Sequence, residues 1–305
     1  MSAWSRVTVQ WTAVVLGTYL IASLGVGVEL AEMAFHPQHL GPDPSAPPWL
    51  RGPVTEAAID AEDNAELRGW YIPAQHPSGA GVILLHGMAD TREGIAGYAA
   101  MFLDHGYSVL LPDSRAHGAS GGAFATYGVL EHDDVRRWAA WLHSRVPGCE
   151  YLFGESMGGA IAIQASAVTP GVCAVAAESS FATFREIAND RISQMTGLGL
   201  WFPHTVAAPA RELALLFGEL RFQVNLADAS PLRAIRKSSV PTLLICGTAD
   251  SNIPMRHSRE LFRAGASHSE IWIVEGAEHT GAASAEPAEF EHRVIGWFAQ
   301  HTVPD

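Results

Sequence analysis

From residue 54 onward, short apolar runs alternate with longer amphipathic stretches. Residues 81–86 read G-V-I-L-L-H, 108–112 S-V-L-L-P, 151–155 Y-L-F-G-E, 173–178 C-A-V-A-A-E and 242–247 T-L-L-I-C-G, and a further run covers 269–275. Runs of this length without polar alternation predict strands buried on both faces. Between and after them the pattern predicts helices near 92–104, 131–145, 157–168, 255–264 and 286–300. Residues 54–60 and 66–72 flank the turn region D-A-E-D-N-A and predict a β-hairpin. Strands that alternate with helices imply an α/β fold: a mostly parallel, doubly wound sheet.

Three stretches depart from this rhythm. Residues 11–28 read W-T-A-V-V-L-G-T-Y-L-I-A-S-L-G-V-G-V, 18 residues without a charge. That is enough to cross a hydrocarbon core. Trp4 and Trp11 sit where an interfacial belt would be, with Tyr19 further in. Arg6 precedes the run, and Glu29 and Glu32 follow it. The positive-inside bias would put the main domain on the non-cytoplasmic side. Residues 1–35 are thus expected to be a membrane anchor. A cleaved signal segment and a buried soluble helix are the alternatives, although no A-x-A cleavage site is evident. Residues 36–53 are Pro-rich, as a linker would be. Residues 183–228, with Trp201, Phe202, Phe217, Phe222, two Gly and two Pro breakers, read as short helices inserted between core strands. Such an insertion would be a lid within a domain covering 54–305. The alternative is one long irregular crossover helix.

Composition narrows the function. The chain has 305 residues, 48% hydrophobic and 17% charged, so it can build a large core. Its net charge is −13 and Lys237 is its single lysine. Without a basic patch it is not expected to bind nucleic acid. The 14 histidines include no H-x-x-x-H or H-E-x-x-H pair, so no metal and no cofactor are expected. Cys149, Cys173 and Cys246 form no C-x-x-C. Cys149 and Cys173 each lie seven residues before a serine, Ser156 and Ser180. If their runs are neighbouring parallel strands, the two cysteines are level, and an exported domain would allow a Cys149–Cys173 bridge. The alternative is three buried thiols.

Open α/β sheets place their sites beyond the carboxyl ends of the strands. There the sequence offers H-G-M (86–88), D-S-R-A-H-G-A-S (113–120), Ser156 within Y-L-F-G-E-S-M-G-G, E-S-S (178–180), T-A-D (248–250) and G-A-E-H (276–279). Alone, G-x-S-x-G also fits an ordinary Gly-rich βα loop. In chain order, however, Ser156, Asp250 and His279 supply a nucleophile, an acid and a base at one end of the sheet.

This order resembles the α/β-hydrolase superfamily, over roughly residues 54–300. The motifs L-L-H-G-M, D-S-R-A-H-G-A-S, G-E-S-M-G, G-T-A-D and G-A-E-H look most like the esterase, serine-aminopeptidase and monoacylglycerol-lipase branch. In such a site His279 would take the Ser156 proton and Asp250 would orient the imidazole. Gly154, Gly158 and Gly159 would let the turn close. The N–H of Met157, at a helix N-terminus, would be one oxyanion donor. The resemblance implies that of Met88 as the other. His86, Asp113, Arg115, His117, Glu131, Asp133 and Asp134 read as structural, Glu178 as a less well placed acid, and Asp90 and Arg92 as a pair bracing the oxyanion loop.

Phe181, Met195 and Trp201 are candidate linings of an acyl pocket. The expected activity is cleavage of a small-molecule ester or lipid through an acyl-enzyme. A serine peptidase, an acylglycerol lipase and a non-catalytic membrane-anchored interaction module are the alternatives.

Overall fold

The structure is a computed structural model that describes residues 3–37, 41, 46–50 and 52–302, with the backbone alone for residues 3–7. The side chains of Trp4 and Arg6, and part of the Pro-rich stretch 36–53, lie outside the described residues. The chain divides into two compact units, Pro37–Phe184 with Asp228–Asp305, and Met1–His36 with Arg185–Ala227.

The larger unit is built on eight strands: β1 (Thr55–Asp60), β2 (Glu66–Ile72), β3 (Gly81–Leu85), β4 (Ser108–Pro112), β5 (Glu150–Glu155), β6 (Val172–Glu178), β7 (Thr242–Gly247) and β8 (Ser269–Val274). Their order is β1-β2-β4-β3-β5-β6-β7-β8. The hairpin β1–β2 is antiparallel and joins β4 antiparallel; β4 to β8 are parallel. Each apolar run of the sequence thus becomes a strand. Their residues divide by parity. Val82 and Leu84 of β3 and Tyr151 and Phe153 of β5 enter one core with Phe102, Phe290 and Phe298. Ile83, Leu85 and Leu152 enter the other with Trp138, Leu142 and Ile161. Burial on both faces is why these runs lack polar alternation.

In this structure α1 spans Ala3–Phe35. The helix expected at 92–104 is broken into α2 (Arg92–Ile95), a 3-10 turn (Ala96–Tyr98) and α3 (Ala99–Asp104). Then come α4 (Glu131–His143) and α5 (Met157–Ser166). The stretch 183–228 is several short helices, as its breakers predict: α6 (Phe184–Thr196), α7 (Trp201–His204) and α8 (Ala208–Phe222). The sequence pattern did not reveal α9 (Pro231–Lys237). It is followed by α10 (Arg256–Ala264), α11 (Ala282–Ala285) and α12 (Pro287–Gln300).

Cys149 and Cys173 form a disulfide at the amino ends of β5 and β6. The bridge follows from the parallel pairing of those strands, with Glu150 opposite Val172. Cys246 is a free, buried thiol.

The smaller unit joins α1 to α7, α8 and most of α6. Ser23, Gly27, Ala31 and Phe35 form a buried stripe on α1 at four-residue spacing. A Cβ on Gly27 would lie 2.8 Å from the Ala210 carbonyl oxygen, so only glycine lets the backbones of α1 and α8 meet there. The segment Thr8–Phe35 is long and apolar enough to cross a membrane.

Candidate active site

The strand order reverses around β3. The connection from β3 to β4 runs through α2 and α3 on one face, and that from β4 to β5 through α4 on the other. Such a switch point opens a crevice at the carboxyl ends of the strands. Ser156 stands at this point, directly after β5.

Its backbone has φ 54° and ψ −117°, a conformation that L-residues rarely adopt. The turn holds because nothing crowds it. A Cβ on Gly154 would lie 2.4 Å from Gly158, and one on Gly158 would lie 2.0 Å from the Leu85 carbonyl oxygen. Strand and helix therefore close tightly around the serine, whose N–H donates to the Glu178 carbonyl at 2.8 Å.

Three side chains then join in a hydrogen-bonded line. His279 Nε2 is 3.0 Å from Ser156 Oγ, and His279 Nδ1 is 2.9 Å from Asp250 Oδ2. Asp250 Oδ1 accepts the N–H groups of Asn252 (2.9 Å) and Ile253 (2.8 Å). Burial disfavours the charged carboxylate, but the bonds from His279 and Ile253 outweigh it and hold the carboxyl below its ordinary value. An ionised Asp250 fixes the Nδ1–H tautomer and leaves Nε2 free to accept from the serine.

Gly87 faces this serine: a Cβ there would be 3.5 Å from Ser156 Cβ. Met88 follows directly, and Ala89 at φ 59° turns the loop away. His86 fixes this loop. Its Nε2 accepts the Ser114 N–H at 3.0 Å, so its Nδ1 carries the proton and donates to the Gly87 carbonyl at 2.7 Å. Burial holds its pKa down, and the ring stays neutral. Met157 opens α5 directly after Ser156, and the first N–H groups of a helix have no partner within it.

The expected Asp90–Arg92 pair does not form. The Arg92 guanidinium instead makes a bidentate pair with Glu56 at 2.9 and 3.1 Å and stacks over Trp70, while Asp90 accepts the Thr91 N–H. Asp113 accepts from the backbone of Arg92 and Ala119, and Arg115 forks onto Asp134 at 2.7 and 2.8 Å. Glu131 caps Thr126 and Gly128, and Asp133 pairs with Arg136 and Arg137. These groups brace loops.

Sequence reading missed how the end of β6 supports Asp250 and the loop that carries His279. Ser179, at φ 51°, directs its hydroxyl to Asp250 and accepts the Thr280 N–H at 3.3 Å. Glu178 Oε1 accepts the Ala282 N–H at 2.8 Å, just beyond His279. The motif E-S-S at a strand end was visible, but its left-handed backbone was not. Beneath the turn, the Tyr98 hydroxyl lies against the carboxylates of Glu155 and Glu178. Burial, reinforced by nearby acids, pushes both carboxyls up to about 7.

Phe181 is buried just beyond β6. Met195 and Trp201 belong to the smaller unit and are largely exposed. Among the described residues, no three of His, Cys, Asp and Glu gather as a metal cage.

A parallel sheet with a serine, a histidine and an aspartate at its switch point defines the α/β-hydrolase class. Residues 82–293 match the family model described as the alpha/beta hydrolase family, and the chain belongs to that family. Among curated proteins it is similar to YqkD of Bacillus subtilis, 29% identical over 74% of this chain and 72% of that one. YfhR of Escherichia coli strain K12 is 27% identical over 80% and 77%. Among solved structures, the esterase Pf2001 of Pyrococcus furiosus superposes with TM-score 0.70 at 24% identity, covering 88% of this chain and 100% of that one. The acylaminoacyl peptidase of Pyrococcus horikoshii superposes with TM-score 0.60 at 19% identity, over 82% and 41%. At these identities the structural likeness concerns the fold.

Proposed function

We propose that the protein is a serine hydrolase that cleaves a carboxylic ester through an acyl-enzyme. The observation that carries this reading is the unbroken hydrogen-bonded line from Ser156 through His279 to Asp250, with the serine on a strained turn. Ser156 Oγ attacks the ester carbonyl as its proton passes to His279 Nε2, and the carbonyl oxygen becomes an oxyanion. The N–H groups of Met88 and Met157 take up that charge. Collapse expels the alkoxide, which receives the proton from His279, and the acyl group remains on Ser156. Water then repeats the sequence and releases the acid. Ester rather than peptide is favoured because Glu155 and Glu178, the acids best placed for a peptide amino terminus, face Tyr98 and, for Glu178, Ala282 instead.

α1 serves as a membrane anchor with the catalytic unit on the non-cytoplasmic side. Arg6 ahead of the apolar run and the Cys149–Cys173 bridge support this placement.

The test compares the full chain with Ser156→Ala in short and medium p-nitrophenyl ester hydrolysis and in fluorophosphonate labelling. Ester turnover should fall by more than about 10³-fold and labelling should vanish. Labelling that persists in the variant would refute the assignment of the nucleophile.

A further inference from the structure

The smaller unit carries a feature that hydrolysis does not use. From Ile192 to Ala210 the chain has no Asp, Glu, Lys or Arg. Within that stretch Leu198, Leu200 and Val206 are exposed, as are Met195 at 66% and Trp201 at 60%. Apart from the exposed polar side chains of Thr196, His204 and Thr205, residues 195–206 are apolar, and such an exposed apolar surface marks an interaction site. Its position along α1 indicates what covers it.

The Tyr19 hydroxyl donates to the Val206 carbonyl at 2.5 Å. Gly27 packs where α8 passes Ala210 and Ala214, and Phe35 packs on Gly218 and Phe222. So α8 runs beside α1 in the same direction, and the loop before it sits level with Tyr19. Between Arg6 and Glu29 α1 has no charge, a length of about 33 Å at the helical rise. That matches a hydrocarbon core about 30 Å thick. Tyr19 precedes Glu29 by ten residues, about 15 Å. A spanning α1 therefore carries Val206 well below the level of Glu29. The first charges after the apolar stretch, Arg211 and Glu212, fall beside Gly27, two residues from Glu29. The two charge boundaries coincide across the helix pair. The hydroxyls of Thr196 and Thr205 bond internally to the carbonyls of Ile192 and Trp201, both at 2.7 Å, which lowers the cost of leaving water.

We propose that residues 195–206 are inserted in the bilayer leaflet at the Glu29 end of α1, alongside that helix, so that lipid covers this apolar segment. Met195 and Trp201 then face acyl chains of the membrane rather than line an acyl pocket. The proposal rests on the reading of α1 as a membrane span, and the test separates the two.

Spin labels are placed on full-length protein at Leu16→Cys, Leu198→Cys and Leu220→Cys, one per molecule, in phosphatidylcholine–phosphatidylglycerol vesicles. All three positions are exposed, and Cys246 is buried. Relaxation by oxygen and by an aqueous nickel chelate gives the depth of each label. Leu16 and Leu198 should both read at least about 5–10 Å below the headgroup boundary, whereas Leu220, near the level of Phe35, should read as aqueous. A lipid reading at Leu16 with an aqueous reading at Leu198 would overturn the insertion and leave the anchor standing. A Leu198 label shielded from both relaxants would also overturn it, because protein, such as a second copy, would then cover the segment. An aqueous Leu16 would remove the anchor and the insertion together.

Discussion

Ser156 holds a backbone conformation that costs about 1–3 kcal/mol for a side-chain-bearing residue. The surrounding glycines and the bond to the Glu178 carbonyl over-determine it. The same β6 end binds the histidine loop through the Glu178 side chain. Burial raises the Glu178 carboxyl from its ordinary value of 4.5 to about 7. The folded state therefore holds this proton more tightly than the unfolded chain between those values. Stability from this group is full below about 4.5 and declines as pH rises toward 7. Glu178→Gln, which can still accept the Ala282 N–H, should remove that decline. Its melting temperature relative to the natural protein should rise from pH 5 to pH 8; a constant difference would mean that Glu178 does not bind this proton. Ser156, Asp250 and His279 were legible in the sequence because each follows a strand-like run. Ser179 was not, because its contribution depends on a positive φ that no pattern announces. Arg92 was misassigned because its partner Glu56 lies 36 residues away, in a strand where sequence spacing gives no hint of contact.

At the scale of elements, all eight strands were legible: β3 to β7 because burial on two faces leaves an apolar run, and β1 and β2 because they flank a turn. The helices were less so. The 92–104 pattern has helical periodicity, but Ala96–Tyr98 tightens into a 3-10 turn between α2 and α3. The short α9 spans only Pro231–Lys237 and offers too few turns for a period. Least legible was the partnership of α1 with α8. Nothing in the apolar run sets Gly27 apart, yet it is where two backbones touch. Gly27→Val should force the helices apart, at a cost of about 1–3 kcal/mol. Hydrogen exchange in α8 should then quicken while exchange in β3 to β7 stays unchanged. Equal protection of α8 in both proteins would show that the seam tolerates a side chain.

Over the whole molecule, the chain is a hydrolase-family sheet and a separate helical unit that contains both the first helix and the insertion after β6. Sequence order hides this unit, because its parts are about 150 residues apart along the chain. It also leaves the disulfide open, since level cysteines require neighbouring strands that spacing alone does not provide. The bridge closes a separation of 24 residues, worth about 3 kcal/mol by loop entropy. Cys149→Ser should lower unfolding stability by about that amount, while initial ester-hydrolysis rates at low temperature stay unchanged. A parallel loss of initial rate would mean that the amino ends of the strands are coupled to the site.

The bridge lies at the amino ends of β5 and β6, and Ser156 follows the carboxyl end of β5. Reduction therefore slackens the frame at the strand ends remote from Ser156. Molecules matured in a reducing compartment and molecules matured in an oxidising one would work at the same speed and wear out at different ages. Lifetime under heat, rather than turnover, is the quantity that records where a given copy was made.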